Sequence, residues 1–254
     1  MRPLSAQDLV EVWERGQGQR HWERALTMLS AAFPGQTRDD LAGLSIGQRD
    51  ALLLTLREQT FGSRLTGLAD CQGCKNQVEF VFGVPDILVC SPGRRSPSEE
   101  ESQERIEALA LCLADHEVRF RLPNSLDLAA VAEAEDVAVT RRRLLERCLL
   151  VVRRDGEERS ADQLPADVVQ AIVERMAQAD PQADVQLVLS CPECGHQWQA
   201  PFDIVSFFWT EIDAWAIRTL RDVHVLASAY GWREAEILGM TPWRRHRYLE
   251  LVAG

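Results

Sequence analysis

The spacing of apolar residues divides the chain into helical ends and a middle that mixes strands with helices. From Ser5 to about Gly16, Leu9, Val12 and Trp13 recur on one face of a short helix capped by Ser5. A second helix is expected over residues 21–33, stopping at Pro34-Gly35, and residues 40–47 read as a loop or short turn. Gly47 then opens a helix with Leu52, Leu53, Leu56 and Phe61, closed by Gly62. Gly16-Gln17-Gly18 is a linker, since no preceding strand or third glycine makes it a phosphate loop.

Period-2 alternation replaces the helical period over Gln77–Phe82, and residues 85–90 read as another short strand. Leu109, Leu111 and Leu113 alternate, Asp115-His116 turns, and Val118, Phe120 and Leu122 alternate back, which predicts a hairpin over 106–122. Helices follow over 126–137, with Ser125 as a cap, over 139–150, and over about 165–179. Val185–Leu189 is an apolar strand, and His196–Phe202 alternates again. A long helix then carries Ile212, Trp215, Ala216, Leu220, Val223, Ala227 and Tyr230 on one face and ends at Gly231. A short helix over 233–239 and a final one opened by Thr241-Pro242 complete the pattern.

Two cysteine pairs organise these elements: Cys71-Gln72-Gly73-Cys74 and Cys191-Pro192-Glu193-Cys194. Gly73, Asn76 and Gly195 supply residues that tolerate the left-handed backbone of a metal-binding knuckle. Four thiolates suit tetrahedral zinc, and a closed four-sulfur site is structural rather than catalytic. Residues 75–190 separate the pairs, far more than the roughly 15–20 residues of a zinc ribbon, so the reading is one ribbon split by an insertion. Two disulfides or unliganded thiols are the alternatives. A redox CxxC would lead into a helix, whereas both pairs here lead into strands, and His196 falls one place too late for haem attachment.

The expected architecture is therefore α+β, mainly helical, around a split four-cysteine zinc-ribbon core. Its parts are an N-terminal helical region (1–66), the split ribbon (67–90 and 184–203), a mobile acidic loop (91–105), an inserted hairpin-plus-helices domain (106–183) and a C-terminal three-helix region (204–254).

Composition narrows the class. The chain has 254 residues, 46% of them hydrophobic and 26% charged, as in ordinary globular proteins. No apolar run reaches the roughly 20 residues that span a bilayer, and no secretory leader is read at the start, so a cytoplasmic location is expected. The net charge of −11 opposes general binding to nucleic acid or anionic lipid. Of seven cysteines, Cys90, Cys112 and Cys148 lie outside the pairs and are expected in the core.

No convergent catalytic set can be assembled. His21, His116, His196, His224 and His246 lie in separate segments, none in a nucleophile elbow, an HExxH helix or a phosphate loop. A deaminase pattern fails because no HxE precedes the first pair. The chain is expected not to be an enzyme. Ala227, Gly231 and Ile237 have helix-turn-helix spacing, which raises a zinc-ribbon DNA-binding regulator as the alternative. Its recognition helix, however, would begin Arg233-Glu234-Ala235-Glu236, with two carboxylates facing phosphate.

Several segments together resemble a known family. They are Arg121-Leu122-Pro123-Asn124-Ser125-Leu126-Asp127-Leu128, the split cysteine pairs, Glu211-Ile212-Asp213, and the stretch Val223–Trp232. Glu236-Ile237-Leu238-Gly239-Met240, Arg244-Arg245 and Tyr248-Leu249 extend the likeness. The chain looks like the baseplate hub assembly chaperones of contractile-tailed, T-even-type phages, with relatives in phage-tail-like contractile injection systems. The resemblance runs from about residue 50 onward and is strongest over the last 45 or so residues. It implies an assembly factor or minor component of the baseplate hub that binds hub or spike subunits. Cys71, Cys74, Cys191 and Cys194 would hold structural zinc, and Trp232, Trp243, Arg244, Arg245, Arg247 and Tyr248 would form the protein-binding surface, since such residues dominate interface energies. Aromatics in this region, Trp209 and Trp215 included, could equally serve the core.

Overall fold

A computed structural model describes residues 1–89, 108–113, 115–133 and 136–253, so Cys90 and the acidic stretch 91–105 lie outside the described residues. In chain order, α1 (Ala6–Gly16), α2 (His21–Ala32), α3 (Arg38–Gly43) and α4 (Ile46–Phe61) precede the hairpin β1 (Arg64–Asp70) and β2 (Gln77–Gly83). A single turn, α5 (Val84–Ile87), leads on to β3 (Leu109–Leu113), β4 (His116–Phe120), α6 (Ser125–Val131) and α7 (Val137–Cys148). Then come β5 (Leu149–Arg154), the two-residue β6 (Glu157–Glu158) and α8 (Ala166–Ala179). The hairpin β7 (Val185–Ser190) and β8 (Gln197–Phe202) follows, with α9 (Ile204–Tyr230), α10 (Glu234–Leu238) and α11 (Pro242–Ala253) after it. The fold is α+β. Two compact units share the chain.

One unit comprises Met1–Arg38, Leu52–Arg64 and Asp203–Gly254 and is helical. Its spine is α9, about 40 Å long at 1.5 Å per residue, against which α1, α2, α10 and α11 pack. Asp203 caps α9 by accepting the Val205 N–H, and Gly231 ends it with φ 69°, a left-handed turn that glycine takes without cost. Burial opposes ionisation of Asp203, but bonds from His21 (2.7 Å), Ser206 and the Val205 N–H bring its carboxyl down to about 2. At the head of α1 the predicted Ser5 cap is a reciprocal box, Asp8 N–H to Ser5 Oγ at 3.2 Å and Ser5 N–H to Asp8 at 2.8 Å. Polar side chains fasten α9 at two further places. Arg57, 3% exposed, clasps both carboxylate oxygens of Glu211 at 2.5 and 2.7 Å, and Trp13 donates its indole N–H to Asp213 at 2.7 Å.

Close approach sets the α1 end of this unit. A side chain at Gly16 would overlap the ring of Trp209, which is buried and lies under the Arg24 guanidinium at 4.4 Å. Gly16→Ala is therefore expected to destabilise the protein by about 1–3 kcal/mol through overpacking. A urea titration showing an unchanged midpoint would contradict this.

The other unit comprises Asp39–Ala51 and Leu65–Phe202. Its four-stranded antiparallel sheet has the order β3-β4-β5-β6, with Leu111 opposite Val118 and Val118 opposite Val152. The buried face, Val118, Phe120 and Val152, packs on Val168 and Ile172 of α8. Beside the sheet, Asp127 is fully buried and gathers two arginines. Arg121 binds both its oxygens at 2.5 and 2.8 Å, Arg147 adds a bond at 2.9 Å, and the Asn124 N–H a fourth at 3.1 Å. Burial opposes the charge on Asp127, yet these donors hold its carboxyl below the usual carboxylate range. Asn124 in turn caps α6, accepting the N–H groups of Leu126 and Asp127. The Ser125 hydroxyl is buried and accepts a bond from Arg49, itself 2% exposed.

Several sequence expectations change here. Asn124, not Ser125, is the helix cap, because its carboxamide reaches two N–H groups. Residues 84–87 form one helical turn rather than a strand, since Pro85 sits in the first turn and Asp86 accepts the Gly83 N–H at 2.7 Å. A six-residue helix, α3, stands where a loop was expected. The predicted helix over 139–150 stops at Cys148, and Leu149–Arg154 continue as β5, a strand that the helical pattern concealed. Arg64–Asp70 is likewise a strand with no forewarning in the pattern of apolar residues. Cys148 is buried, and its thiol is pushed up to about 11 by burial and by the nearby Asp127 charge. Cys112 is exposed instead of buried, because alternation turns it away from the face that Leu111 joins to the core.

Candidate functional site

Each cysteine pair lies in the tight turn of its own two-stranded hairpin, and the two turns are built alike. The Cys71 N–H bonds the Asn76 carbonyl at 2.9 Å and the Lys75 N–H bonds the Cys71 carbonyl at 3.0 Å. In the second turn Cys191 and His196, then Gly195 and Cys191, repeat both bonds at 2.9 and 3.0 Å. The residue after the second cysteine takes the left-handed backbone in both turns, Lys75 at φ 64° and Gly195 at φ 71°. In the first turn, therefore, neither Gly73 nor Asn76 has the left-handed backbone expected of it. Gly73 matters for its size: a Cβ there would lie 3.2 Å from His196 Cβ and 3.5 Å from Cys194 Sγ, so a bare Cα lets the turns meet.

Below the turns the hairpins remain separate two-stranded sheets joined by side chains. Val78, Leu189 and Trp198 form a small apolar floor with Phe80 and Leu187 against it. The hairpins thus present four sulfurs from opposite ends of the unit's sequence.

The geometry is that of a coordination shell. Cys71 Sγ lies 3.6 Å from Cys194 Sγ, Cys74 Sγ lies 3.6 Å from Cys191 Sγ, and all four lie within 4.8 Å of one another. A tetrahedron with metal–sulfur bonds of about 2.3 Å has edges of roughly 3.8 Å, whereas a disulfide needs about 2.05 Å. The cysteines are free thiols, so the spacing fits a metal ion and not the disulfide alternative. N–H groups of Cys74 and Gly73 point at the Cys71 sulfur and bring its thiol down to about 6, against the cost of burial. Cys74 goes the other way: the Asn76 N–H favours its thiolate, but burial and the sulfurs of Cys191, Cys194 and Cys71 push it up to about 12. Crowded thiolates repel, and a divalent cation relieves that repulsion.

Lys75 stores strain that its counterpart Gly195 avoids, since a left-handed non-glycine residue costs about 1–2 kcal/mol. Allowing for the extra freedom glycine gives the unfolded chain, Lys75→Gly is expected to stabilise the metal-loaded protein by about 0.5–1 kcal/mol. Gly195→Lys should lower stability by a similar amount. Paired thermal melts check both signs.

Residues 8–209 match the family described as T4 bacteriophage base plate protein. The chain belongs to that family. No curated protein and no solved structure matches the chain. The match begins in α1, takes in both cysteine turns and the Arg121–Leu128 segment, and ends near the start of α9. The structure gives the residues of that segment distinct roles. Arg121 and Asp127 are an ion pair, Asn124 is the cap and Ser125 the partner of Arg49.

The C-terminal residues named from the resemblance lie beyond that match and fall into three groups, exposed, half-buried and buried. Trp243 is 73% exposed, with the Arg247 guanidinium 5.8 Å from its ring, and the exposed Arg244 reaches over Tyr248 at 5.7 Å. Trp232 and Tyr248 are half-buried, 4.8 Å apart edge to face, with Trp232 stacked on Tyr230 at 4.4 Å. Arg245 turns inward: it is 6% exposed and its Nε lies 3.4 Å from Asp222. Trp209 belongs to the core and Trp215 packs partly buried against the α9–α10 cluster. The helix-turn-helix alternative finds only a five-residue α10, with Glu234 and Glu236 in its first turn. No described helix is long and apolar enough to cross a membrane.

Proposed function

We propose that this baseplate-family chain is a non-enzymatic assembly factor or minor component of the baseplate hub of a contractile phage tail or phage-tail-like injection system. It acts by binding other baseplate subunits, in the cytoplasm of the cell where the particle is built. The family match over residues 8–209 is the observation that carries this reading. The exposed pairing of Trp243 with Arg247 and of Arg244 with Tyr248 supports α11 as one contact surface, because aromatic and arginine side chains contribute most to interface energy.

Zinc is the ion we assign to the four sulfurs of Cys71, Cys74, Cys191 and Cys194, on their number, softness and tetrahedral spacing. Bound there, zinc would be saturated by sulfur and supply rigidity instead of a reactive position. The residues themselves hold the two hairpin turns together. Hub and spike subunits of a contractile tail system, purified from the same source as this chain and immobilised, test the reading. Retention of the chain by one of them, weakened at least tenfold by Trp243→Ala with Arg247→Ala, is the expected result. A chain that binds none of the baseplate subunits would overturn it.

A further inference from the structure

Exposure divides the two cysteine pairs in the same way. Cys71 and Cys191, the first of each turn, are buried, whereas Cys74 is half-buried and Cys194 exposed. The two sulfur approaches of 3.6 Å both run from one hairpin to the other, Cys194 to Cys71 and Cys74 to Cys191. Each sulfur that solvent reaches therefore touches a buried sulfur of the opposite hairpin. The turns hold this arrangement. N–H groups of Gly73 and Cys74 tie the Cys71 sulfur beneath its own turn, and the bare Cα of Gly73 leaves room for the Cys194 sulfur.

A cysteine that coordinates a metal is deprotonated, and oxidation follows thiolate character and access. Cys194 meets both conditions, and Cys74 comes next. With hydrogen peroxide as the oxidant, the Cys194 thiolate attacks one peroxide oxygen. The O–O bond breaks, hydroxide leaves and the sulfur becomes a sulfenic acid. The Cys71 thiolate then attacks that sulfur, the S–O bond breaks and a second hydroxide leaves. Two electrons have passed from sulfur to peroxide, and one disulfide spans the hairpins. The same sequence with a second peroxide joins Cys74 to Cys191. Each closure brings two sulfurs from 3.6 Å to about 2.05 Å. The thiolate is the metal-binding form of cysteine, so four sulfurs held in disulfides no longer retain an ion.

We infer that the four-cysteine centre is a redox-convertible clasp: peroxide ejects the metal and leaves the hairpins joined by Cys71–Cys194 and Cys74–Cys191 disulfides. The ejected ion rests on the zinc assignment above, whereas the pairing rests on the sulfur distances alone. The test uses the full chain with Cys112→Ser, which removes the exposed thiol of β3. Two equivalents of peroxide should release one zinc per chain, read with a chromogenic chelator. Trypsin leaves Cys71 and Cys74 in residues 65–75 and Cys191 and Cys194 in residues 176–218. Without reductant, mass spectrometry should find these two peptides joined as one species. Cleavage after Glu193, followed by fragmentation, should then assign the partners. The oxidised chain should melt about 5 °C or more above a reduced chain stripped by chelator. Two separate peptides, closed between Cys71 and Cys74 and between Cys191 and Cys194, would overturn the proposal. So would cysteines carried to sulfinic acid without cross-links, or an oxidised chain that melts no higher than the stripped one. A chain that holds no metal before oxidation yet gives the joined peptides would refute the zinc assignment and uphold the pairing.

Discussion

Replacing Cys191 with serine should strip the protein of its metal ion and unfold the paired hairpins. A structural zinc contributes on the order of 10–16 kcal/mol of apparent binding energy in small domains, so loss of one of four sulfurs removes about 4 kcal/mol or more. For a chain of this size that is a fall of about 10 °C in melting temperature. Cys191 is 2% exposed and Cys71 fully buried, so no water replaces the lost sulfur without disturbing Val78, Leu189 and Trp198 packed beneath. Metal analysis should read one zinc per native chain and much less than one for the variant. Cys112→Ser is the control: that thiol is exposed on β3, and neither metal content nor melting temperature should move. Native zinc content and melting temperature in Cys191→Ser would refute the four-sulfur centre. The wild-type chain offers an independent arm, since a strong chelator should lower its melting temperature and zinc should restore it.

Asp127→Ala should be nearly as damaging, by about 3 kcal/mol. Removing one member of a buried ion pair leaves the other charge without compensation, and here two arginines lose the same partner. Arg121 is 18% exposed and Arg147 42%, so Arg147 regains water more easily and the cost falls mostly on Arg121. The same carboxylate sets an acid limit. Its folded pKa lies below the unfolded value near 3.9, so its share of stability is present above that value and is lost as pH falls through the folded pKa. Chemical denaturation of wild type and variant between pH 7 and pH 3 checks both statements. The difference between them should be largest at pH 7 and should shrink in acid, and a difference under 1 kcal/mol at pH 7 would count against the clamp.

What the sequence disclosed depended on how local each signal was. The convergence of the cysteine pairs was legible because each carries its own turn and its own trailing alternating strand, Gln77–Gly83 and Gln197–Phe202. The incoming strand β1 was not. Gly67 sits in its middle, where a side chain would strike the ring of Phe80 across the hairpin, and that reason is tertiary. Leu149–Arg154 was hidden for another reason. Helix α7 hands over to β5 without a glycine or proline between Cys148 and Leu149, so the apolar residues read as one more helical turn. The Arg121–Leu128 segment stood out as a pattern, but the partners that explain it, Arg49 and Arg147, come from elsewhere in the chain. Capping chemistry could have found half of it, since Asn124 followed by Asp127 three residues on has the form of a capping box.

The sulfurs that meet at one point are far apart in the order of synthesis. At roughly 5–20 residues per second, a ribosome needs about 6–23 s to add residues 75–190 after Cys74 has been incorporated. Throughout that interval the nascent polypeptide displays half a ligand set, open to oxidation or to capture by another unfinished molecule. Cells overproducing this protein without a reducing cytosol should accordingly accumulate incomplete chains cross-linked through Cys71 or Cys74.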